Sequence, residues 1–226
     1  MPPETLLQRY GLPPADIERA SLDRLEALAG SALPEDPGLR HVVRRILYAA
    51  GDPALAEQVV VHPQAVQAGV AALRCGARVV VDVGMVAAGL HRATLRRLGC
   101  PVMVAVEEPG ARELAARAGI TRSAAGMRLH AAGLGGAVMA IGNAPTALLE
   151  LLDGLDAGAP SPALIVGTPV GLVAATESKA ELARRSVPFV TVLGTRGGSP
   201  LAAAALNALL DLSHTPSPSG RGFIQG

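Results

Sequence analysis

Tryptophan is absent and aromatic residues make up only 2% of the 226-residue chain. The core must therefore be built from Ala, Val and Leu packed closely around many glycines. Charge of one sign is also lacking: the net charge is +1, so no bulk basic field argues for a nucleic-acid partner. The two cysteines, Cys75 and Cys100, are far apart and neither has a second Cys nearby. They make neither a zinc pattern nor a C-x-x-C pair, and a reduced cytosolic chain is the expectation. No G-x-x-x-x-G-K-[ST] is present and no G-x-G-x-x-G follows a strand pattern, which disfavours a nucleotide-binding protein. The opening MPPETLLQRY has no apolar core region, so no secretory signal is expected.

Hydrophobic residues are plentiful, at 50% with a mean hydropathy of +0.36. Two uncharged runs, Ala131–Leu149 and Ala157–Thr176, approach the length of a membrane span. Asn, Pro, Thr or several Gly interrupt both, so buried strands of a parallel sheet explain them better, and no membrane association is expected. A chain of this length fits one large domain or two small ones.

The chain is organised around Ala137–Lys179, which reads twice as strand, tight turn and helix, with turns at Gly142-Asn143 and Gly167-Thr168-Pro169. Five β-rich runs are each followed by helical pattern: Arg78–Asp82, Val102–Val106, Ala137–Ile141, Ala163–Gly167 and Phe189–Leu193. The helices between them are expected at about Met85–Leu98, Ala111–Ala132 with a break at Gly119, Ala144–Leu152 and Ala174–Arg185, and a last one at Leu201–Leu212. Three more helices precede the sheet, at Asp16–Leu28, Gly38–Ala50 and Gln64–Cys75. The alternation predicts an α/β protein of three layers, a doubly wound five-stranded parallel sheet covered on both faces. Such sheets bind ligands outside the carboxyl ends of their strands. Residues 1–212 are read as one domain. Ser213–Gly226, rich in Ser, Pro and Gly, is read as a mobile tail, or else as an arm packing on a partner subunit.

Several polar residues fall at those strand ends. Thr121 is placed to cap a helix, which puts Arg122 at the helix's positive end. A cation gains nothing from the dipole there, so a ligand carboxylate is its expected partner; an ordinary surface Arg is the alternative. Asp82 ends the first strand and either caps a helix or faces the crevice, and Met85 after it reads as core. Gly142 and Pro145 are explained by turn chemistry alone, leaving Asn143 and Thr146 as polar contacts. Lys179 is the only lysine in the chain, so local chemistry is a reason for its presence, against the plain reading of a solvated helix residue. Gly197 and Gly198 before Ser199 let backbone N–H groups approach an anion as a small nest.

Three motifs together, Val138–Thr146 (VMAIGNAPT), Pro169–Lys179 (PVGLVAATESK) and Gly197–Leu209 (GGSPLAAAALNAL), resemble precorrin-8X methylmutase, the corrin-pathway isomerase known in aerobic and cobalt-precorrin forms. The likeness runs from about Ile17 to Leu209. It implies the flavodoxin-like strand order 2-1-3-4-5, a homodimer in the cytoplasm, and no cofactor or metal of the enzyme's own. It implies a reaction moving a methyl group from C-11 to C-12 of a precorrin-8-type tetrapyrrole. The stretch Thr121-Arg122-Ser123 matches the family motif whose Arg lies in the substrate site. Asp82-Val83-Gly84-Met85-Val86 is similar to its D-x-x-M-V, and Glu177-Ser178-Lys179 to its E-S-K. Ser21 aligns with a Ser that reaches the substrate. The resemblance breaks at Arg45-Ile46-Leu47-Tyr48-Ala49-Ala50-Gly51, where the family's catalytic His, its proton donor, is replaced by Tyr48. His41 and His91 do not match that His by position. The substitution leaves open a second expectation, a non-catalytic tetrapyrrole-binding paralogue.

Overall fold

The computed structural model describes residues 5–11 and 13–214. Helices α1 (Leu6–Tyr10), α2 (Pro14–Ala29) and α3 (Pro37–Ala50) come first. The signals that bound α3 are local. Asp36 accepts the Leu39 N–H at 2.8 Å, Pro37 occupies the first turn, and Gly51 closes the helix at φ 63°. The stripe Val42, Val43, Ile46 and Leu47 is fully buried, each side chain contributing about 1.5–3 kcal/mol of apolar transfer.

Strand β1 (Val59–Val61) and α4 (Ala65–Arg74) follow, then β2 (Val79–Val81), α5 (Gly84–Ala88), α6 (Arg92–Leu98) and β3 (Val102–Val104). The second half runs α7 (Ala111–Ala118), α8 (Arg122–Leu129), β4 (Val138–Ile141), α9 (Pro145–Asp156), β5 (Leu164–Gly167), α10 (Ala175–Ala183), β6 (Phe189–Val192) and α11 (Ser199–His214).

The sheet order is β1-β6-β5-β4-β2-β3. The five parallel strands β3, β2, β4, β5 and β6 carry the expected doubly wound order. The sequence reading missed the sixth: β1 adds to the edge of the sheet, antiparallel to β6. Its three valines are half-buried, and a three-residue run before Pro63 is too short to declare itself against the helical patterns around it. Alternate strand residues feed the two faces. Val79, Val81, Val138, Ala140, Leu164, Val166, Val190 and Val192 pack with α3, α4, α5, α6 and α11. Val80, Met139, Ile141, Ile165 and Phe189 pack with α8, α9 and α10.

Two other departures have physical causes. The helix expected at Met85–Leu98 is broken into α5 and α6. The Asn207 side chain on α11 enters the break, donating to the Gly89 carbonyl and accepting the His91 N–H, at 2.8 and 2.9 Å. The third strand in sequence ends at Val104 because Ala105–Glu107 winds into a 3-10 turn. Ser213 and His214, read as the start of a tail, belong to α11, with Ser213 buried. Residues 215–226 lie outside the described residues. The aromatic-poor core lets elements approach closely. A Cβ on Gly142 would lie 2.6 Å from the Ser199 Cα, so only glycine allows β4 to meet the start of α11.

Candidate functional site

The carboxyl ends of β2, β4, β5 and β6 bring most of the singled-out residues into one region. Thr121 is the N-cap of α8, its Oγ1 accepting the Ala124 N–H at 3.1 Å. Arg122 is the first residue of that helix, exposed, and makes no ion pair among the described residues; Ser123 beside it is half-buried. The Thr121 and Thr146 hydroxyls are 2.7 Å apart, which sets the first turns of α8 and α9 side by side. Asn143 is exposed at the turn entering α9. A cavity of about 310 Å³ lies next to the threonine pair, lined in part by Ile120, Leu149, Glu150 and Asp153.

Asp82 resolves to the capping role. Its carboxylate accepts the backbone N–H groups of Gly142, Asn143 and Ala144 at 3.1, 2.8 and 2.8 Å. It is fully buried and caps not its own helix but the turn of the neighbouring strand. Burial pushes its carboxyl above the usual range, more than its backbone hydrogen bonds draw it down. Every oxygen is engaged by the chain, so the crevice-facing alternative is set aside and Asp82 shapes the turn that presents Asn143.

The β5 and β6 ends form a second part of the region. Ser178 is fully buried and its hydroxyl donates to the Ala175 carbonyl of its own helix at 3.1 Å. Lys179 is also fully buried rather than solvated, and its Nζ donates to the Arg196 carbonyl at 2.6 Å. Burial lowers its pKa to about 8. The nest expected at Gly197-Gly198 is filled by the chain itself: the Gly198 N–H donates to the Thr168 carbonyl at 2.7 Å. Gly197 lies so close to this turn that a Cβ there would be 2.3 Å from the Thr168 oxygen. Sequence reasoning passed over Thr168, which is fully buried, and over the Arg196–Asp52 ion pair. A polar residue directly after a strand's last glycine was the available signal for Thr168; the ion pair spans a separation that no sequence pattern marks.

Tyr48 lies near the carboxyl end of α3, partly exposed, with the Arg45 guanidinium carbon 5.6 Å from its ring centroid. Arg45 also pairs with Glu18 of α2. Ser21, half-buried on α2, donates to the Ile17 carbonyl at 2.7 Å. A cavity of about 340 Å³ joins this end of α3 to the β5 and β6 turns, lined among others by Ala49, Ala50, Val170, Arg196 and Gly197. His41 and His91 are held elsewhere: both flank Asp211 of α11, at 3.6 and 3.5 Å.

The rim also carries apolar residues that the sequence did not mark. Met85, expected in the core, is 69% exposed. In the turn after β5, Leu172 and Val173 are 92% and 83% exposed. Ala174 closes that turn at φ 62°, a left-handed conformation unusual outside glycine. No group of three or more His, Cys, Asp or Glu side chains that could hold a metal ion is found among the described residues. No helix of the described residues is long and apolar enough to cross a membrane.

Residues 16–212 match the family model described as CbiC, precorrin-8X methylmutase. The chain is 45% identical over 196 residues to the precorrin-8X methylmutase of Pseudomonas aeruginosa, covering 85% of this chain and 93% of the relative. It is 42% identical over 168 residues to the cobalt-precorrin-8 methylmutase of Priestia megaterium, covering 74% of this chain and 75% of that one. A solved structure of precorrin-8X methylmutase from Thermus thermophilus superposes with a TM-score of 0.79 at 36% identity, covering 88% of this chain and 97% of the other.

Proposed function

The chain belongs to the precorrin-8X methylmutase family, and from that premise we propose that it isomerises a precorrin-8X or cobalt-precorrin-8 tetrapyrrole in cobalamin biosynthesis. The methyl group leaves C-11 as its new bond forms at C-12, a [1,5]-sigmatropic shift with no net change in atoms or oxidation state. The observation that carries this reading is the family match over residues 16–212. The cluster at the strand ends supports it.

In this reading the protein's task is to hold a polycarboxylate ring and polarise ring C. Arg122, exposed and without an ion-pair partner among the described residues, meets a substrate carboxylate by a charge-assisted hydrogen bond. Thr121, Ser123, Asn143 and Thr146 supply neutral polar contacts around it, and Gly197 contributes backbone to the neighbouring cavity wall. Tyr48 directs its hydroxyl towards ring C and stabilises charge that develops there as the methyl group moves. Ser21 completes the site from α2. Asp82, Ser178 and Gly198, whose polar groups are taken up inside the protein, act by shaping the turns. We further propose a homodimer in the cytoplasm, with each crevice near the subunit boundary. The exposed Leu172 and Val173, and the alanine-rich helices, support such a contact.

Mixing the protein with precorrin-8X and following the ultraviolet–visible spectrum tests the function. Conversion to the corrin chromophore is expected. A shifted spectrum without conversion favours the non-catalytic binder that Tyr48 in place of His brings to mind. An unchanged spectrum removes both. Light scattering at micromolar concentration tests assembly, and a monomeric mass rejects the dimer.

A further inference from the structure

We infer that Lys179 is a positioning residue of the crevice: its ammonium group bolts the turn Thr195–Gly198 in place, and turnover depends on that bolt. The inference rests on the methylmutase reading for its link to activity, and on the hydrogen-bond pattern for the bolt itself.

The two turns at the ends of β5 and β6 are tied at both sides of Arg196. Below it, the Gly198 N–H donates to the Thr168 carbonyl at 2.7 Å, and Gly197 is pressed against the same oxygen. Above it, the Gly171 N–H donates to the Thr195 carbonyl at 3.1 Å. Between these ties the Arg196 carbonyl points inward and accepts from Lys179 Nζ at 2.6 Å. Outward, the Arg196 guanidinium pairs with Asp52, just past the end of α3. Arg196, Gly197, Asp52, Val170 and Ala49 all line the same cavity. The orientation of one carbonyl thus sets where the Arg196 side chain and the cavity wall stand.

The choice of lysine fits the place. Every other basic side chain of the Lys/Arg type in the sequence is arginine. A guanidinium is planar, presents five donors and stays charged at every accessible pH, whereas Lys179 bonds one carbonyl. An ammonium is compact, carries three donors instead of five, and loses its charge readily when buried. The charged groups of the elements packed around Lys179 are otherwise engaged or turned away. Arg196 pairs with Asp52, Glu150 of α9 with Arg128, Asp156 of α9 with Arg185, and Glu181 of α10 with Arg184. Asp153 of α9 and Glu177 of α10 are exposed. Burial is the only cause that lowers the Lys179 pKa to about 8.

As the pH rises through that value the ammonium becomes an amine. A charge-assisted hydrogen bond turns into a neutral one of about half the strength, and the turn loosens. Stability moves the other way. The native pKa lies below the usual 10.5, so between the two values the unfolded chain binds more protons and the fold gains stability as pH rises. An alkaline loss of activity from this group is therefore not unfolding.

The experiment uses the single lysine. Selective ¹⁵N-lysine labelling gives one side-chain Nζ resonance, and ¹³C labelling reports the Arg196 carbonyl. Both are expected to titrate with one midpoint near pH 8, with the Arg196 titration absent in Lys179→Met. In the rate assay, wild-type kcat should fall above the same pH. Lys179→Met should be roughly tenfold slower, flat across that range and no less stable, and Lys179→Arg should not restore the rate. An Arg196 carbonyl that ignores the lysine titration overturns the bolt. A Lys179→Met enzyme with wild-type kcat and the same alkaline limb overturns its role in turnover. Wild-type protein that shows the coincident titrations but converts no precorrin-8X rejects the methylmutase reading while the bolt stands.

Discussion

The Thr121 and Thr146 hydroxyls, 2.7 Å apart, join the first turn of α8 to the first turn of α9. This contact fixes where Arg122 stands relative to Asn143, since each residue lies within three positions of one of the threonines. In the proposed reading, these two helix N-termini and Arg122, which pairs with no described residue, meet a substrate carboxylate. Replacing Arg122 by Ala is expected to weaken tetrapyrrole binding by about 1.5–3 kcal/mol, the scale of a hydrogen bond to a charged group. The melting temperature should not change, because Arg122 is exposed and pairs with no described residue. Titration calorimetry with the tetrapyrrole checks this, and unchanged affinity removes Arg122 from the site.

Asp82→Asn should damage stability rather than binding chemistry. The carboxylate serves three backbone donors, one on Oδ1 and two on Oδ2. An amide offers one acceptor oxygen and turns an NH₂ group towards the remaining donors. Each orphaned buried N–H costs about 1–3 kcal/mol, so the urea midpoint should fall clearly. A midpoint equal to wild type would show that water or a relaxed turn replaces the carboxylate.

Acid sensitivity should arise in part at His130. It is buried, with Nε2 3.2 Å from Glu108. Burial lowers its pKa below 6.5, against the raising effect of Glu108 and with the help of Arg78. The unfolded chain then takes up a proton that the native state refuses. Stability from this group is present above about pH 6.5 and is lost as pH falls towards the lower native value. Urea midpoints at about pH 7.5 and about pH 5.5 should separate in wild type, and the gap should narrow in His130→Gln. A gap of equal size in the variant assigns the effect to other groups, His41 first, whose pKa burial also lowers.

The fold was legible where one signal sufficed. The valine and alanine runs of the parallel strands are local in sequence and match the structure, and the helix expected at Gly38–Ala50 is α3, which starts one residue earlier, at Pro37. What escaped was set by tertiary contacts. The α5–α6 break depends on Asn207, more than a hundred residues away. The edge strand β1 depends on pairing with β6. Of the candidate residues, Thr121 as a cap and Arg122 as an exposed cation were readable from their neighbours. That Asp82 spends its carboxylate on a distant turn, and that Lys179 is buried under Arg196, required the sheet to bring separate loops together. Exposure of Leu172 and Val173 ran against their apolar character, which composition alone assigns to the core.

Tyr48 carries the last prediction. Its ring is held by the Arg45 guanidinium 5.6 Å from the centroid, and Arg45 is anchored in turn by Glu18. Phenylalanine keeps that ring contact and removes only the hydroxyl. If the hydroxyl polarises ring C, Tyr48→Phe should lower turnover by the roughly 10²–10⁴-fold typical of a positioned acid, with tetrapyrrole affinity nearly intact. An imidazole titrates near 6.5 in its reference state. Tyr48→His should retain or raise the rate and introduce an inflection there. Stopped-flow spectra of the three proteins decide the matter. Equal rates for wild type and Tyr48→Phe would reduce Tyr48 to a packing residue beside the cavity. Tight binding without turnover in the wild type, restored by Tyr48→His, would show that the ring is held correctly and only the acid has been lost.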